Sequence, residues 1–527
     1  MTEKIKENIK NGKTYLGIEF GSTRIKAVLI DDTYTPVATG SHQWTNRLEN
    51  GYWIYTLEDI HTGLQSCYAD IKKDVKEKYG VTLTDIGAIG ISGMMHGYMP
   101  FNDSGALLTP FRTWRNTTTE YSADALTELF GFNIPQRWSI AHLYQAILDG
   151  EAHVSEISYI TTLAVYIHYR LTGVFAAGVG EASGMFPTSG IGYNREMLEK
   201  FRQLTAKNGY KWDIEEILPK VMNAGEQCGT LTESGALLLD PEDDLKAGIP
   251  FCPPEGDAGT GMVATDSVLP KTGNISGGTS IFSMLVLEKP LKGVYKEIDV
   301  VATPDGSDVA MVHCNNCCSE LDAWVNVFYE FAELIGKPVD KGELYGILYN
   351  NAMRGDISCG GVTAYNFLSG EPVAGVEKGK PMYFRAPDGE FNLSNFFRAE
   401  LMSSVAALKM GTDILFEKEN VKAERFAAHG GLFKVEGAAD KLTADAMNVP
   451  LTVMTTAGEG GAWGMALLAA YMRDKGESSL SDFLSERVFK EMEKRTVYPD
   501  NEGVRGFNEY MTRFKAGLEA QKKAGEI

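Results

Sequence analysis

Two short turns constrain the fold of this chain more than any other feature. Gly21-Ser22-Thr23 interrupts the apolar stretch Tyr15–Asp31, and Gly278-Thr279-Ser280 interrupts the β-rich stretch Leu269–Leu287. Each reads as strand, turn, strand. They are separated by close to half of the 527 residues. Triplets of Gly, Ser and Thr arise by chance, but the matching flanks favour an internal duplication of one lobe, with a boundary near residues 261–271. A chain of this length has room for two large lobes or three ordinary domains.

The remaining pattern is α/β. A third strand is expected at Pro36–Trp44 and a short buried strand at Ile86–Ser92. Between them Ile60, Leu64, Cys67, Tyr68, Ile71 and Val75 recur at helical spacing, which predicts a helix over Leu57–Tyr79. Three strands, a helix and a strand imply a mixed sheet opened by an antiparallel meander. Helices are expected at 119–130, 143–148, 160–171 and 196–208, the third ended by Gly173. The second half predicts helices at 319–334, 395–416 and 462–472 and strands at 423–428 and 451–455. The glycine-rich Gly458-Glu459-Gly460-Gly461 precedes the last of these helices. The charged stretch 475–527 is expected to be a helical tail packed on the outside.

Composition excludes several classes of function. Hydrophobic residues at 44% and charged residues at 23% exclude disorder over most of the chain. Seventy acidic residues against fifty basic ones give a net charge of −20. Such a chain is a poor general binder of nucleic acid or of an anionic membrane. Seven scattered cysteines do not form a disulfide framework. No apolar run approaches the ~20 residues of a membrane span, and the opening Met1–Lys13 is polar. A cytoplasmic enzyme is the expectation.

Four motifs could carry chemistry. The Gly21-Ser22-Thr23 turn offers backbone N–H groups and small side chains to a phosphate, and Glu19 just before it could hold magnesium. A plain hairpin with a half-buried Glu explains the same residues. Asp257, in Glu255-Gly-Asp-Ala-Gly-Thr-Gly261, could be a general base toward a hydroxyl or simply a helix cap. Gly93-Met-Met-His-Gly97 follows a buried strand, where α/β sheets place their site loops, so His96 could bind a polyol or be a satisfied core histidine. Cys314, Cys317 and Cys318 suggest a metal clip, but no second ligand pair has a familiar spacing, and buried thiols at a helix start are favoured. Trp324, Phe328 and Phe331 read as core of the helix that follows.

Taken in order, these pieces resemble the FGGY family of carbohydrate kinases, and within it most of all the xylulose kinases. The resemblance runs from Tyr15 to Met472 through Gly17–Lys26, Asn50-Gly-Tyr-Trp53, Ile91–Gly97, Gly256-Asp257, Gly277-Gly-Thr-Ser280 and His429-Gly-Gly431. It implies an actin-like ATPase architecture, two ribonuclease-H-like lobes with a cleft between them. The lobes would span 14–262 and 263–474, with 475–527 a C-terminal helical extension. It implies ATP and Mg2+ as cofactors, a small sugar as substrate, and allows a homodimer. Gly21, Ser22 and Thr23 would form the first phosphate turn and Gly278, Thr279 and Ser280 the second. Gly430 and Gly431 would lie by the adenosine. Asp257 matches the catalytic base, Met95 and His96 match sugar-binding positions, and Glu19 would anchor the metal.

This sequence departs from the family pattern at three places. Glu19 stands where the family usually has Asp, Ala258 where xylulose kinases commonly have Asn, and Trp114-Arg-Asn116 where Trp-Asn-Asp is usual. The expected reaction is ATP-dependent phosphorylation of a terminal hydroxyl of a ketopentose such as xylulose. Ribulose, another ketose, or a polyol such as glycerol or erythritol are alternative acceptors. A nucleotide-binding regulator or partner-activating ATPase on the same fold is the rival from another class, and a cysteine-ligated metalloprotein a third.

Overall fold

The computed structural model describes residues 2–454 and 460–527. Thr455, Gly458 and Glu459, named above at a strand end and in a glycine-rich turn, lie outside the described residues. The chain forms two compact units. The first comprises Met1–Val268, Val300–Val309 and Glu459–Met492, and the second Leu269–Asp299, Ala310–Gly458 and Glu493–Ile527. Among the described residues no helix is long and apolar enough to cross a membrane.

The first unit is built on a five-stranded sheet. Its strands are β1 (Tyr15–Phe20), β2 (Arg24–Ile30), β3 (Pro36–Gln43), β4 (Ala88–Gly93) and β5 (Glu255–Gly256), in the order β5-β4-β1-β2-β3. β1, β2 and β3 make the antiparallel meander, and β4 and β5 add in parallel beyond β1. Helix α1 (Leu57–Tyr79) begins in a Thr56–Asp59 capping box, which satisfies two of the N–H groups a helix start leaves open, and ends at Gly80 with φ +68°. Its buried face is the periodic one, with Lys72 among the apolar residues. The apolar run near 160 divides. Tyr159–Thr161 is a strand, and α2 (Leu163–Thr172) starts only after Thr162. The β-branched Ile160, Thr161 and Thr162 favour the extended start. Gly173 closes α2 with φ +74°. Two further helices, α3 (Val179–Ser183) and α4 (Asp257–Val263), complete the part of this unit that holds the site.

The second unit repeats the plan. The strands of its sheet are β6 (Thr272–Gly277), β7 (Ile281–Val286), β8 (Asp299–Ala302), β9 (Asp308–Cys314), β10 (Arg425–His429) and β11 (Leu451–Met454), with residues 300–309 of β8 and β9 grouped with the first unit. The sheet runs β8-β9-β7-β6-β10-β11, with one more strand beyond β11. β6 pairs antiparallel with β7 and parallel with β10, as β1 does with β2 and β4. Five strands therefore share one order in both units, and the repeat read from two turns is a repeat of topology. Helix α5 (Cys318–Leu334) packs Trp324 against Phe396 and Phe328 against Phe397, but Phe331 is 56% exposed and is not core. Helix α6 (Leu393–Asp413) is buried along most of its length at the centre of the unit.

Helix α7 (Gly460–Asp474) returns to the first unit and lies across β1. A Cβ on Gly17 would come within 2.1 Å of Ala462 O, and one on Gly464 within 2.0 Å of Thr260 O, so both glycines are required by close approach. The last stretch is helical over Asn501–Gly525 but is divided between the units. Residues 475–492 belong to the first unit and the rest to the second. There β12 (Lys494–Val497) pairs antiparallel with β11, and α8 (Asn501–Gly525) buries Phe507, Tyr510, Met511 and Phe514. Tyr510 Oη donates to Ala364 O at 3.0 Å. The high charge of this stretch masked its apolar face.

Candidate active site

The sheet of the first unit brings the site residues together. Glu19 on β1 pairs with Ser92 on β4, which pairs with Glu255 on β5; Phe20, Gly93 and Gly256 form the next rung. These three strands are parallel, so their C-terminal ends lie side by side, where open α/β sheets bind ligands. Just beyond them come the Gly21–Thr23 turn, the Met94–Gly97 loop and Asp257.

Asp257 is the first residue of α4, with Gly256 as the cap, so the alternative of an Asp cap is not what forms. Its Oδ1 accepts from Ala258 N–H at 2.9 Å and from Met95 N–H at 3.3 Å. Burial pushes its carboxyl up to about 6, against the opposing pull of these N–H groups and of Arg137. Glu19 Oε2 accepts from Ala462 N–H at 3.2 Å, at the start of α7. Burial, then the charge of Asp257, pushes Glu19 up to about 7, while Lys26 opposes the shift. Both carboxylates keep some solvent access, yet protein encloses them closely enough that desolvation dominates.

The Met94–Gly97 loop is held from several sides. Met94 N–H donates to Phe20 O at 2.9 Å and Gly97 N–H to Arg137 O at 3.1 Å. His96 sits at φ +70°, a strained conformation for a residue with a Cβ. Its Nδ1 donates to Gly184 O at 3.1 Å, which leaves Nε2 as the acceptor of the ring, and its ring stacks on Trp138. Burial holds His96 well below the usual histidine range, so the ring is neutral. Met95 is buried against Gly256. The Trp114-Arg-Asn116 departure is structural: Asn116 bonds both backbone groups of Trp53, and Arg115 lies over the Trp53 ring at 3.8 Å.

The two turns are matched in a way their sequences do not reveal. In the first, Gly21 O accepts from Trp44 Nε1 at 2.7 Å, Ser22 O from Tyr55 Oη at 2.5 Å, and Thr23 O from Trp44 N–H at 3.2 Å. In the second, Gly278 O accepts from Cys318 N–H and Thr279 O from Cys317 N–H, both at 3.0 Å, and Ser280 O from Gly278 N–H at 2.8 Å. All six carbonyls are engaged by the protein, and Gly21 and Gly278 N–H donate to Arg24 O and Ser280 O, so the hydroxyls and backbone amides of Ser22, Thr23, Thr279 and Ser280 are what the turns present to an anion. A shallow cavity beside the first turn is lined by Thr23, Arg24, Lys26, Gln43, Trp44 and Thr45; it contains none of Glu19, Met95, His96 or Asp257. In the second unit Gly430, at φ +105°, lies against Gly277: a Cβ there would meet Gly277 O at 2.2 Å. Gly431 is exposed next to it.

The expected residues thus fall into two sets. Glu19, Gly21, Ser22, Thr23, Met95, His96 and Asp257 gather in the first unit, and Gly278, Thr279, Ser280, Gly430 and Gly431 in the second. Cys317 and Cys318 support the second turn through their backbone N–H groups. All seven are free thiols, and among the described residues no group of three His, Cys, Asp or Glu side chains is placed to hold a metal ion. Sequence reasoning missed Glu181 and Glu255. Both are fully buried, with Glu255 Oε2 accepting from Glu181 N–H at 3.0 Å. Burial pushes Glu255 up to about 8 and Glu181 well above the carboxylate range. Glu255 stood inside the quoted glycine-rich motif, and the glycines at 178 and 180, which leave room for it, were the available signal.

A pH dependence of stability follows. Glu19, Glu255 and Asp257 hold protons in the folded chain at pH values where ordinary carboxyls, near 4, have lost them. The folded state therefore binds more protons than the unfolded state between about pH 4 and 8, and these groups stabilise it less as pH rises through that window. Thermal unfolding should show a higher midpoint at pH 5.5 than at pH 8. Glu255→Gln should flatten that slope; an unchanged slope would contradict the assignment.

Comparison with known proteins agrees with the geometry. Residues 14–263 match the N-terminal domain model of the FGGY family of carbohydrate kinases, and residues 273–473 match its C-terminal domain model. A xylulose kinase of Haemophilus influenzae is 23% identical over 525 residues, covering 96% of this chain and 99% of the relative. The crystal structure of a xyloylose kinase from Brucella ovis superimposes with a TM-score of 0.76 at 19% identity, covering 96% of this chain and 99% of that one. That of Plasmodium falciparum glycerol kinase with ADP gives 0.75 at 15% identity, covering 96% and 98%. The two units have the two-domain architecture of the actin-like ATPase fold. This chain belongs to the FGGY family of carbohydrate kinases, phosphotransferases with an alcohol group as acceptor.

Proposed function

We propose that this kinase transfers the γ-phosphoryl group of ATP to a terminal hydroxyl of a small neutral ketose, a ketopentose such as xylulose. The observation that carries the reading is Asp257: a carboxylate poised near pH 6, beside a neutral histidine and at the ends of three parallel strands. The acceptor hydroxyl gives its proton to Asp257 as its oxygen attacks the γ-phosphorus. One oxygen–phosphorus bond forms, the bond to the bridging oxygen breaks, and ADP leaves. Such transfer needs mainly positioning and charge stabilisation. Each Gly-Ser/Thr turn supplies amides and hydroxyls to phosphate oxygens, and Gly430 and Gly431 border the adenosine.

Glu19 fits a magnesium site. Mg2+ takes one or two carboxylates together with substrate phosphates, and the mutual repulsion of Glu19 and Asp257 is what a cation relieves. When bound, the ion neutralises charge on the phosphate oxygens. Met95 and His96 hold the sugar, with His96 Nε2 accepting from a hydroxyl. The sequence likeness to a xylulose kinase supports the choice of acceptor. Ala258 supports ribulose or another ketose or polyol as the second reading, because its methyl group cannot bond a hydroxyl. Use of ATP implies a cytoplasmic setting.

The test is ADP release with Mg-ATP across ketopentoses, aldoses and polyols, with Asp257→Ala alongside. A ketopentose should stimulate release strongly and the variant should not respond. Stimulation by a polyol alone would replace the acceptor, and no stimulation by any compound would overturn the reading.

A further inference from the structure

Glu181 is fully buried, and neither of its carboxylate oxygens has a hydrogen-bond partner. The neighbouring Thr162 hydroxyl is also unpaired. A buried carboxyl in that state is costly, and the nearby Thr162 side chain, which favours its charged form, offsets only part of the cost of burial. Its position is nevertheless imposed. Gly178 and Gly180 leave room for Glu255, where a Cβ would come within 2.1 and 2.5 Å of its oxygens. Glu255 in turn accepts from Glu181 N–H and fixes the start of α3. This directs Glu181 at the residue preceding Asp257: a Cβ on Gly256 would meet Glu181 Oε2 at 2.7 Å and the Met95 side chain at 2.1 Å. The end of α3 carries Gly184, whose carbonyl orients His96.

A second unpaired group lies close by. The indole of Trp138 is fully buried and stacks on His96, and its Nε1–H has no partner. A buried acceptor and a buried donor thus stand unsatisfied around Met95, His96 and Asp257. A polyhydroxyl molecule carries the groups that each of them lacks, since every hydroxyl can donate and accept.

We infer that Glu181 binds acceptor hydroxyls, and that its carboxyl, unpaired in the free protein, is a specificity-determining contact of the sugar site. The inference rests on the proposed reaction and adds a residue to it. The strain of the free site is returned when sugar binds, as expected where binding sites trade stability for function.

The test uses D-xylulose and D-ribulose with the full chain and two variants, Glu181→Met and Glu181→Gln. Glu181→Met removes the buried polar group at similar volume. It should raise the thermal midpoint of the sugar-free protein and raise the KM for sugar by about 10- to 100-fold, with the KM for ATP little changed. Glu181→Gln keeps hydrogen-bonding capacity and should retain most of the sugar affinity. A sugar KM within twofold of the parent in Glu181→Met overturns the inference and leaves the proposed reaction standing. So does a lower midpoint with both KM values raised together, which marks a purely structural residue. If the unmodified enzyme neither binds nor phosphorylates any sugar of the wider panel, the proposed reaction fails and the inference fails with it.

Discussion

Asp257→Ala is expected to lower the turnover of the acceptor by ~10²–10⁴-fold, the usual worth of a positioned general base. The KM for ATP should change little, because the nucleotide is assigned to other residues. The same assignment fixes the pH profile. Asp257 must be ionised to take the hydroxyl proton, and burial holds its carboxyl at about 6. Turnover should therefore fall as pH drops through about 6, well above the ordinary carboxylate value near 4. Removing Lys26, which favours the charged form of Glu19, should leave this limb in place, whereas Asp257→Asn should lower turnover as Asp257→Ala does and remove the limb from what activity remains. A folded Asp257→Ala protein with full turnover would eliminate Asp257 as the base. An acid limb near 4 would show that its environment is more polar than the structure indicates.

Lys72→Met is expected to be the most damaging single change to stability away from the site. Lys72 lies on the buried face of α1, and its Nζ meets Asp240 at 2.8 and 3.0 Å, Glu242 at 3.0 Å and Asp244 at 2.8 Å. Lys72 is 9% exposed and Asp240 only 3%, so this pair is desolvated, while Glu242 is 79% exposed and adds little. Taking away one member of a buried pair leaves the other charge uncompensated and costs about 3–5 kcal/mol. For a unit of this size that is a fall in the thermal midpoint of roughly 10 °C. Asp240 also accepts from Asp244 and Leu245 N–H, so the loss spreads to the 240–245 turn. Lys73→Met, which breaks an exposed pair with Glu77 at 3.9 Å, is the control and should change the midpoint by less than about 2 °C. Equal effects of the two substitutions would refute the buried-pair account.

Much of the first unit was legible because the interactions that shape it are local. The capping box of Thr56 and Asp59 and the stop at Gly80 lie within a few residues of the helix they bound, and the run from Ile60 to Val75 carries its own period. The strand–turn–strand units at Gly21 and Gly278 are hairpins whose partners are neighbours in sequence. Ile160–Leu171 misled because a short apolar run fits either period, and only the pairing of Tyr159–Thr161 with Met99–Phe101 selects the strand. Glu181 was invisible for a related reason: a carboxylate in a glycine-rich stretch normally faces water, and nothing local says that this one is buried.

By itself, then, the sequence determined the repeated hairpins, the helix over Leu57–Tyr79, the placing of Asp257 after a strand and the family to which these motifs point. Each depends on residues that touch because they are close along the chain. The tertiary structure alone decided which charges are buried, how the six turn carbonyls are occupied, and where distant segments return. Lys72 meets Asp240 across 168 positions, Glu19 meets Ala462 across 443, and α8 becomes core only when α6 is there to receive it. Burial and partnership are properties of chain segments brought together from afar. The free energy that fixes them is not written in any one segment.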